Sequence, residues 1–257
     1  MCAAALLGAC MGSFGSVVAH RLPVMLMRTW GESVVEQDSC LSLTTPASHC
    51  PVCRTAVAWR HNIPVLSWLV LRGRCAYCDT VIPWTYPALE LVCALIYGAL
   101  VWRFGISTDS VVWCLAATVL MVLVGIDLRT QLLPDVLTLS LMWMGLLASA
   151  FGWISTPLVD AVLGAATGYG AFWGVAQVYR LVAGEDGMGN GDFKLVAALC
   201  AFLGWQALPM IMLGGGFSSA IITCLLAWRG RTDLGAPQPF GPHLALAGVV
   251  YFCVEMM

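Results

Sequence analysis

Apolar runs of near membrane length, separated by short polar stretches, dominate this chain. The first extends from Cys2 to Ala19. Further runs cover Tyr86–Trp102, Val111–Ile126, Val136–Ile154, Leu158–Ala183, Leu195–Leu203, Ala207–Trp228 and Gly241–Met256. Continuous apolarity without a period of two predicts helices in lipid rather than half-buried strands. A helix rises about 1.5 Å per residue, and about 20 residues cross the hydrocarbon layer. Leu195–Leu203 is too short to cross alone; it is tilted, broken, or carried on through Gly204 and Trp205. The pattern therefore predicts an all-α polytopic membrane protein with about eight transmembrane helices. Charge follows the first run rather than preceding it, which separates it from a secretory signal peptide. It reads as a first membrane helix short of a few upstream residues.

One long stretch breaks the pattern. Residues 20–85 are rich in Gly, Pro, Ser and Thr and hold six of the twelve basic residues. The expected organisation is a first transmembrane helix (1–19), a small aqueous domain (20–85) and a membrane domain (86–257). No solenoid-type repeat and no low-complexity tract is present.

Composition agrees with this class. The chain is 60% hydrophobic and only 10% charged, against about 25% charged in soluble domains. The net charge of −2 gives no reason to invoke nucleic acid. The placement of charge says more. Eight crossings put the loops 20–85, 127–135, 184–194 and 229–240 on one side. With Arg180 at their edge, these loops hold every Lys and Arg except Arg103. Basic loops favour the cytoplasm. Merging the short run with its neighbour would move Arg229 and Arg231 outside, which favours eight.

Of twelve cysteines, Cys2, Cys10, Cys93, Cys114, Cys200, Cys224 and Cys253 lie in apolar runs and read as small hydrophobes. Cys40, in a polar loop, receives no role. Cys50, Cys53, Cys75 and Cys78 form two C-x-x-C pairs separated by twenty-one residues. Two such knuckles can wrap one tetrahedral zinc ion. Four thiolates leave no open position, so that site would be structural. Disulfide or redox pairs are the rival reading, disfavoured in a reducing cytoplasm. His49 and His61 nearby read as surface residues.

Two acids stand at membrane boundaries. Asp127 ends a run in "VGIDLRTQLLPDV", and Asp192 opens one in "GMGNGDFK". Ionisable groups at that depth are costly and often functional. The bland alternative is a solvated boundary acid, or a helix cap at Asp192. The alternating Gly187, Gly189 and Gly191 favour function, because glycine permits positive φ and close approach to another backbone. Gly189 and Gly191 are expected to support the loop against substrate. Two carboxyls brought together share one proton. One then acts as base on water while the other hydrogen-bonds the scissile carbonyl. Asp127 lies at a helix C-terminus and Asp192 near an N-terminus, so the dipoles rank Asp127 as the proton holder. Asp135 reads as an N-cap, and Glu185 and Asp186 as solvated. Glu90, one turn inside a run, calls for a polar partner or a place lining the site. Lys194 pairs with an acid or snorkels to the interface.

With these residues in view, the chain resembles the bacterial type IV prepilin peptidases, including those serving type II secretion. The resemblance rests on "GSFGSVVAHRLP", the paired cysteines, "NIPVLSWLVLRGRC", "YPALEL", "IDLRTQLLPDVLTL", "GMGNGDFKLVAAL" and "PFGPHLALAG", in that order. The family is similar in fold to other intramembrane aspartic proteases with a G-x-G-D motif, presenilin among them. The resemblance implies that Asp127 and Asp192 are catalytic. It implies prepilin or pseudopilin substrates, cut after a glycine at the cytoplasmic face of the bacterial inner membrane; many members then N-methylate the new terminus with S-adenosylmethionine, the alternative being a peptidase without methyltransferase activity. The cysteine-bearing loop is where it suggests looking for the methyl donor. Partners are these substrates and membrane lipid, with no nucleic acid. Gly15 and Ser16 stand where relatives commonly carry a bulky residue and asparagine, and Asn190 where tyrosine or phenylalanine is usual. A proton-coupled transporter and a non-catalytic scaffold are the competing functions. Both acids lie at one face with no acid chain across the membrane, which disfavours transport.

Overall fold

The computed structural model describes residues 1–31, 41–184, 187–230 and 238–255. Among them lie nine α-helices: α1 (Cys2–Thr29), α2 (Leu66–Val70), α3 (Thr85–Phe104), α4 (Thr108–Thr130), α5 (Asp135–Ala150), α6 (Leu158–Ala183), α7 (Asn190–Leu203), α8 (Leu208–Trp228) and α9 (Gly241–Glu255). Among the described residues β-pairing is confined to two isolated bridges, His49 with Ala56 and Arg74 with Val81. Helices α1, α3, α4 and α6, and the stretch Trp205–Trp228, are long and apolar enough to cross a membrane; α5 and α9 are shorter apolar helices. The outward faces carry large apolar side chains such as Leu213, Phe217 and Ile221 of α8, a surface made for acyl chains. Exposed Trp30, Trp84, Trp102, Trp205 and Trp228 fall at or beside helix ends, where amphipathic rings suit the interface. The chain is an all-α polytopic membrane protein.

The first helix runs ten residues beyond its apolar stretch, through Arg21, Pro23 and Arg28 to Thr29. Arg21 is buried, yet its guanidinium donates to the carbonyls of Ser42, Leu43 and Pro46 at 3.0, 3.4 and 2.7 Å. A buried cation satisfied by three carbonyls lets the helix continue where the apolar pattern stops.

The chain divides into two compact units, Met1–Val122 and Leu123–Met257. In the first, α1 packs on α3 through Gly8 and Gly12. A Cβ at Gly8 would stand 2.6 Å from the Cys93 carbonyl oxygen, and one at Gly12 2.9 Å from the Glu90 Cα. Small residues four apart allow such backbone contact between membrane helices. Tyr97 and Thr118 share a buried hydroxyl hydrogen bond of 2.8 Å.

In the second unit α7 is the inner element. Its 14 residues span about 21 Å, short of the hydrocarbon layer. Ten of them are buried, against α5, α6 and α9. Gly164 and Gly168 of α6 lie directly on its backbone near Cys200 and Val196. The helix does not extend through Gly204, which ends it with φ +82°. Surrounded by protein, α7 has no need of membrane length, and its polar first turn sits among neighbouring helices.

Candidate active site

Asp127 lies in the last turn of α4. That helix closes at Gln131, whose φ of +54° turns its N–H onto the Asp127 carbonyl at 2.9 Å. The Asp127 side chain is buried, with the residue 3% exposed. Its Oδ2 accepts a 2.8 Å hydrogen bond from the N–H of Gly241, the first residue of α9. The carboxyl therefore occupies the N-terminus of another helix, where the dipole favours negative charge. The α9 N-terminus offsets the unfavourable end of Asp127's own helix, so the helix dipoles do not rank Asp127 above Asp192 as the proton holder.

Asp192 is the third residue of α7 and 8% exposed. It is not the N-cap; Gly189 is, in extended conformation at φ −72° and ψ 142°. The Asp192 carboxyl is turned back toward the Gly189 backbone and lies within electrostatic reach of Asp127. A third-position acid turned back to the cap residue is one half of a capping box. Both acids thus sit at helix N-termini, buried in one unit. Two such carboxyls can hold one proton between them, the arrangement that activates water beside a peptide carbonyl.

The connection 131–135 leads from α4, which carries Asp127, into α5 and passes the first turns of α7 and α9. A Cβ on Gly191 would meet the Leu133 Cβ at 2.7 Å and its carbonyl oxygen at 3.3 Å. The Leu133 Cδ2 lies 3.4 Å from the position a Cβ would take on Gly241. Leu133 is thus wedged between the first turns of α7 and α9. Asp135 is not an N-cap. Pro134 holds that place, and Asp135, the first residue of α5, receives the Lys194 Nζ at 2.6 Å on Oδ1 and 2.7 Å on Oδ2. Of the two expectations for Lys194, pairing is the one realised. None of Gly187, Gly189 and Gly191 has positive φ; the close approach at Gly191 is taken by Leu133, and Gly187 lies against the Tyr179 ring. Gly241 and Leu133 received no role from the sequence. The Gly-Pro pair at 241–242 was a helix-start signal, but nothing linked it to an acid 114 positions earlier.

In the first unit the sulfurs of Cys50, Cys53, Cys75 and Cys78 all lie within 4.8 Å of one another, and those of Cys50 and Cys78 are 3.7 Å apart. Tetrahedral thiolates at about 2.3 Å from one ion would be spaced much as these are, so the four can hold a metal. The two knuckles repeat one geometry. The Cys50 N–H donates to the Thr55 carbonyl and the Cys75 N–H to that of Thr80, at 3.1 and 2.8 Å; Arg54 and Asp79 both take positive φ. The Thr80 hydroxyl, 3.2 Å from the Cys78 sulfur, and then its backbone N–H push that thiol down to about 6. Thr55 acts on Cys53 in the same direction. Lowered thiols suit metal ligands.

Glu90 has its polar partner: Oε2 accepts the Val65 N–H at 2.7 Å. Val65 has φ +60° and ψ −50°, and the Leu66 N–H bonds the Pro64 carbonyl at 2.6 Å. This is the rare, strained hand of γ-turn, held on a β-branched residue by a carboxylate. His61 is not a free surface residue. It is half-buried and edge-on to Tyr77, and its Nδ1 has no hydrogen-bond partner among the described residues. Cys40, Glu185, Asp186 and Arg231 lie outside the described residues.

Two family models match the chain: the bacterial peptidase A24 N-terminal domain over residues 6–104, and the type IV leader peptidase family over 114–224. Three curated relatives carry the name prepilin leader peptidase/N-methyltransferase. The chain is 41% identical to the protein of Stutzerimonas stutzeri over 96% of its own length and 88% of the relative's. It is 41% identical to that of Pseudomonas aeruginosa, over 95% and 86%. It is 40% identical to that of Neisseria gonorrhoeae, over 97% and 88%. No solved structure matches it.

Proposed function

We infer the function of this chain from the fact that it belongs to the type IV leader peptidase family. It is a membrane aspartic endopeptidase that removes the leader from type IV prepilins or type II secretion pseudopilins and N-methylates the new terminus. The observation that carries the chemistry is the burial of Asp127 and Asp192 together, each at a helix N-terminus. We assign the hydrolysis to this pair. The deprotonated carboxyl takes a proton from water, and the oxygen attacks the peptide carbonyl. The protonated partner hydrogen-bonds that carbonyl as negative charge develops on it; as the intermediate collapses the C–N bond breaks, and the carboxyl that took the proton from water gives it to the leaving amine. Among the described residues Asp127 and Asp192 are the buried acids, so no line of buried carboxyls favours transport.

The bias of Lys and Arg toward the loops around both aspartates supports an active site facing the cytoplasm. On this reading residues 20–85 form the cytoplasmic domain and 86–257 the peptidase domain. The four sulfurs suit a structural zinc ion, which would brace that domain. S-adenosylmethionine is the methyl donor the second activity calls for. The test is leader removal from a model prepilin in membranes, with the product's N-terminus read by mass. Asp127→Asn and Asp192→Asn should each abolish cleavage while the protein stays folded. Wild-type processing by both variants would remove the pair from the mechanism.

A further inference from the structure

We propose that Lys194 and Asp135 form a positioning pair for this hydrolysis, fixing the first turn of α7, and with it Asp192, relative to Asp127. The inference rests on the assignment of those two acids. Asp127 and Asp192 belong to different helices, and the sharing of one proton between them depends on their separation. The connection 131–135 starts four residues after Asp127, where Gln131 closes α4. It meets α7 at two points. Leu133 packs on Gly191, the residue before Asp192, and Asp135 grips Lys194, two residues after it, through both carboxylate oxygens at 2.6 and 2.7 Å. Contacts on either side of Asp192 fix both the depth and the rotation of the α7 start. The side chains of Lys194 and Asp135 are 24% and 58% exposed, and pairs so open to solvent add little to stability. The consequence of the pair is therefore geometric. Lys194 and Asp135 act through Asp192 and are not themselves catalytic residues.

The experiment uses the full chain in membranes with the model prepilin, measuring kcat, KM and the thermal midpoint. Asp135→Asn and Lys194→Gln should each lower kcat about tenfold, within the range that small displacements of reacting groups produce, with KM and midpoint nearly unchanged. Lys194→Arg, which keeps a cationic donor to both carboxylate oxygens, should restore most of kcat. So should the exchanged pair Asp135→Lys with Lys194→Asp. Singles with wild-type kcat, a loss confined to KM, a midpoint falling with the rate, or no rescue by either Lys194→Arg or the exchanged pair would each overturn the proposal. Asp127→Asn and Asp192→Asn are run alongside. If they cleave normally, the catalytic assignment falls and takes this proposal with it. If they are inactive while the singles keep kcat, the positioning role alone falls.

Discussion

Gly241→Ala adds one methyl group and tests whether the start of α9 holds a working carboxyl. The new Cβ would lie 2.8 Å from the Asp127 Oδ2 and 3.3 Å from its Cγ, where ordinary contact begins near 3.4 Å. The carboxyl must retreat by about 0.6 Å to relieve the clash, which carries the 2.8 Å bond to the Gly241 N–H to the outer limit of hydrogen bonding. Gly241 does not have positive φ, so alanine brings no backbone strain and the methyl group alone is responsible. A hydrogen bond to a charged group contributes about 1.5–3 kcal/mol. If that loss falls on the transition state, kcat drops about tenfold to a hundredfold, at about 1.4 kcal/mol per decade. Initial rates of leader removal across substrate concentrations should show the fall in kcat with little change in KM. Gly216→Ala on α8 is the control, since no atom lies within 4 Å of its added methyl, and it should leave both constants unchanged. A folded Gly241→Ala enzyme with kcat within about twofold of wild type would refute the reasoning from the 2.8 Å contact, whatever the fate of the Asp→Asn variants.

Two further outcomes follow from the first unit. Cys50→Ser or Cys75→Ser should remove bound zinc and lower the thermal midpoint, with methylation failing before leader cleavage; a full zinc content in either variant, measured by metal analysis, would count against the four-sulfur site. Glu90→Ala leaves the Val65 N–H without its acceptor and should cost about 1–3 kcal/mol, whereas Glu90→Gln keeps an acceptor oxygen and recovers most of it. Equal midpoints for the two would mean that the 2.7 Å bond does not hold the γ-turn.

Local rules made much of this protein legible. The apolar runs mark where helices form, because lipid admits a backbone only when its polar groups are paired within the segment. The cysteine spacing marks a knuckled four-sulfur cluster, because two residues between ligands set the bite of each turn. Both acids stand out because charge is costly at membrane depth. What could not be read along the chain depends on which helix end meets which side chain. Arg21 stays helical and buried because a turn twenty residues downstream offers it carbonyls. Asp135 looks like a cap beside Pro134 until Lys194, fifty-nine positions away, takes its carboxylate. Asp127 looks disfavoured at the end of its own helix until the α9 N-terminus, 114 positions on, donates to it. Sequence alone determined the elements and the chemical groups they carry, because propensity and hydropathy act over a few neighbouring residues. Tertiary structure alone decided the partners of the carboxyls, because electrostatic and hydrogen-bond energies depend on distance in space, which the chain order does not record.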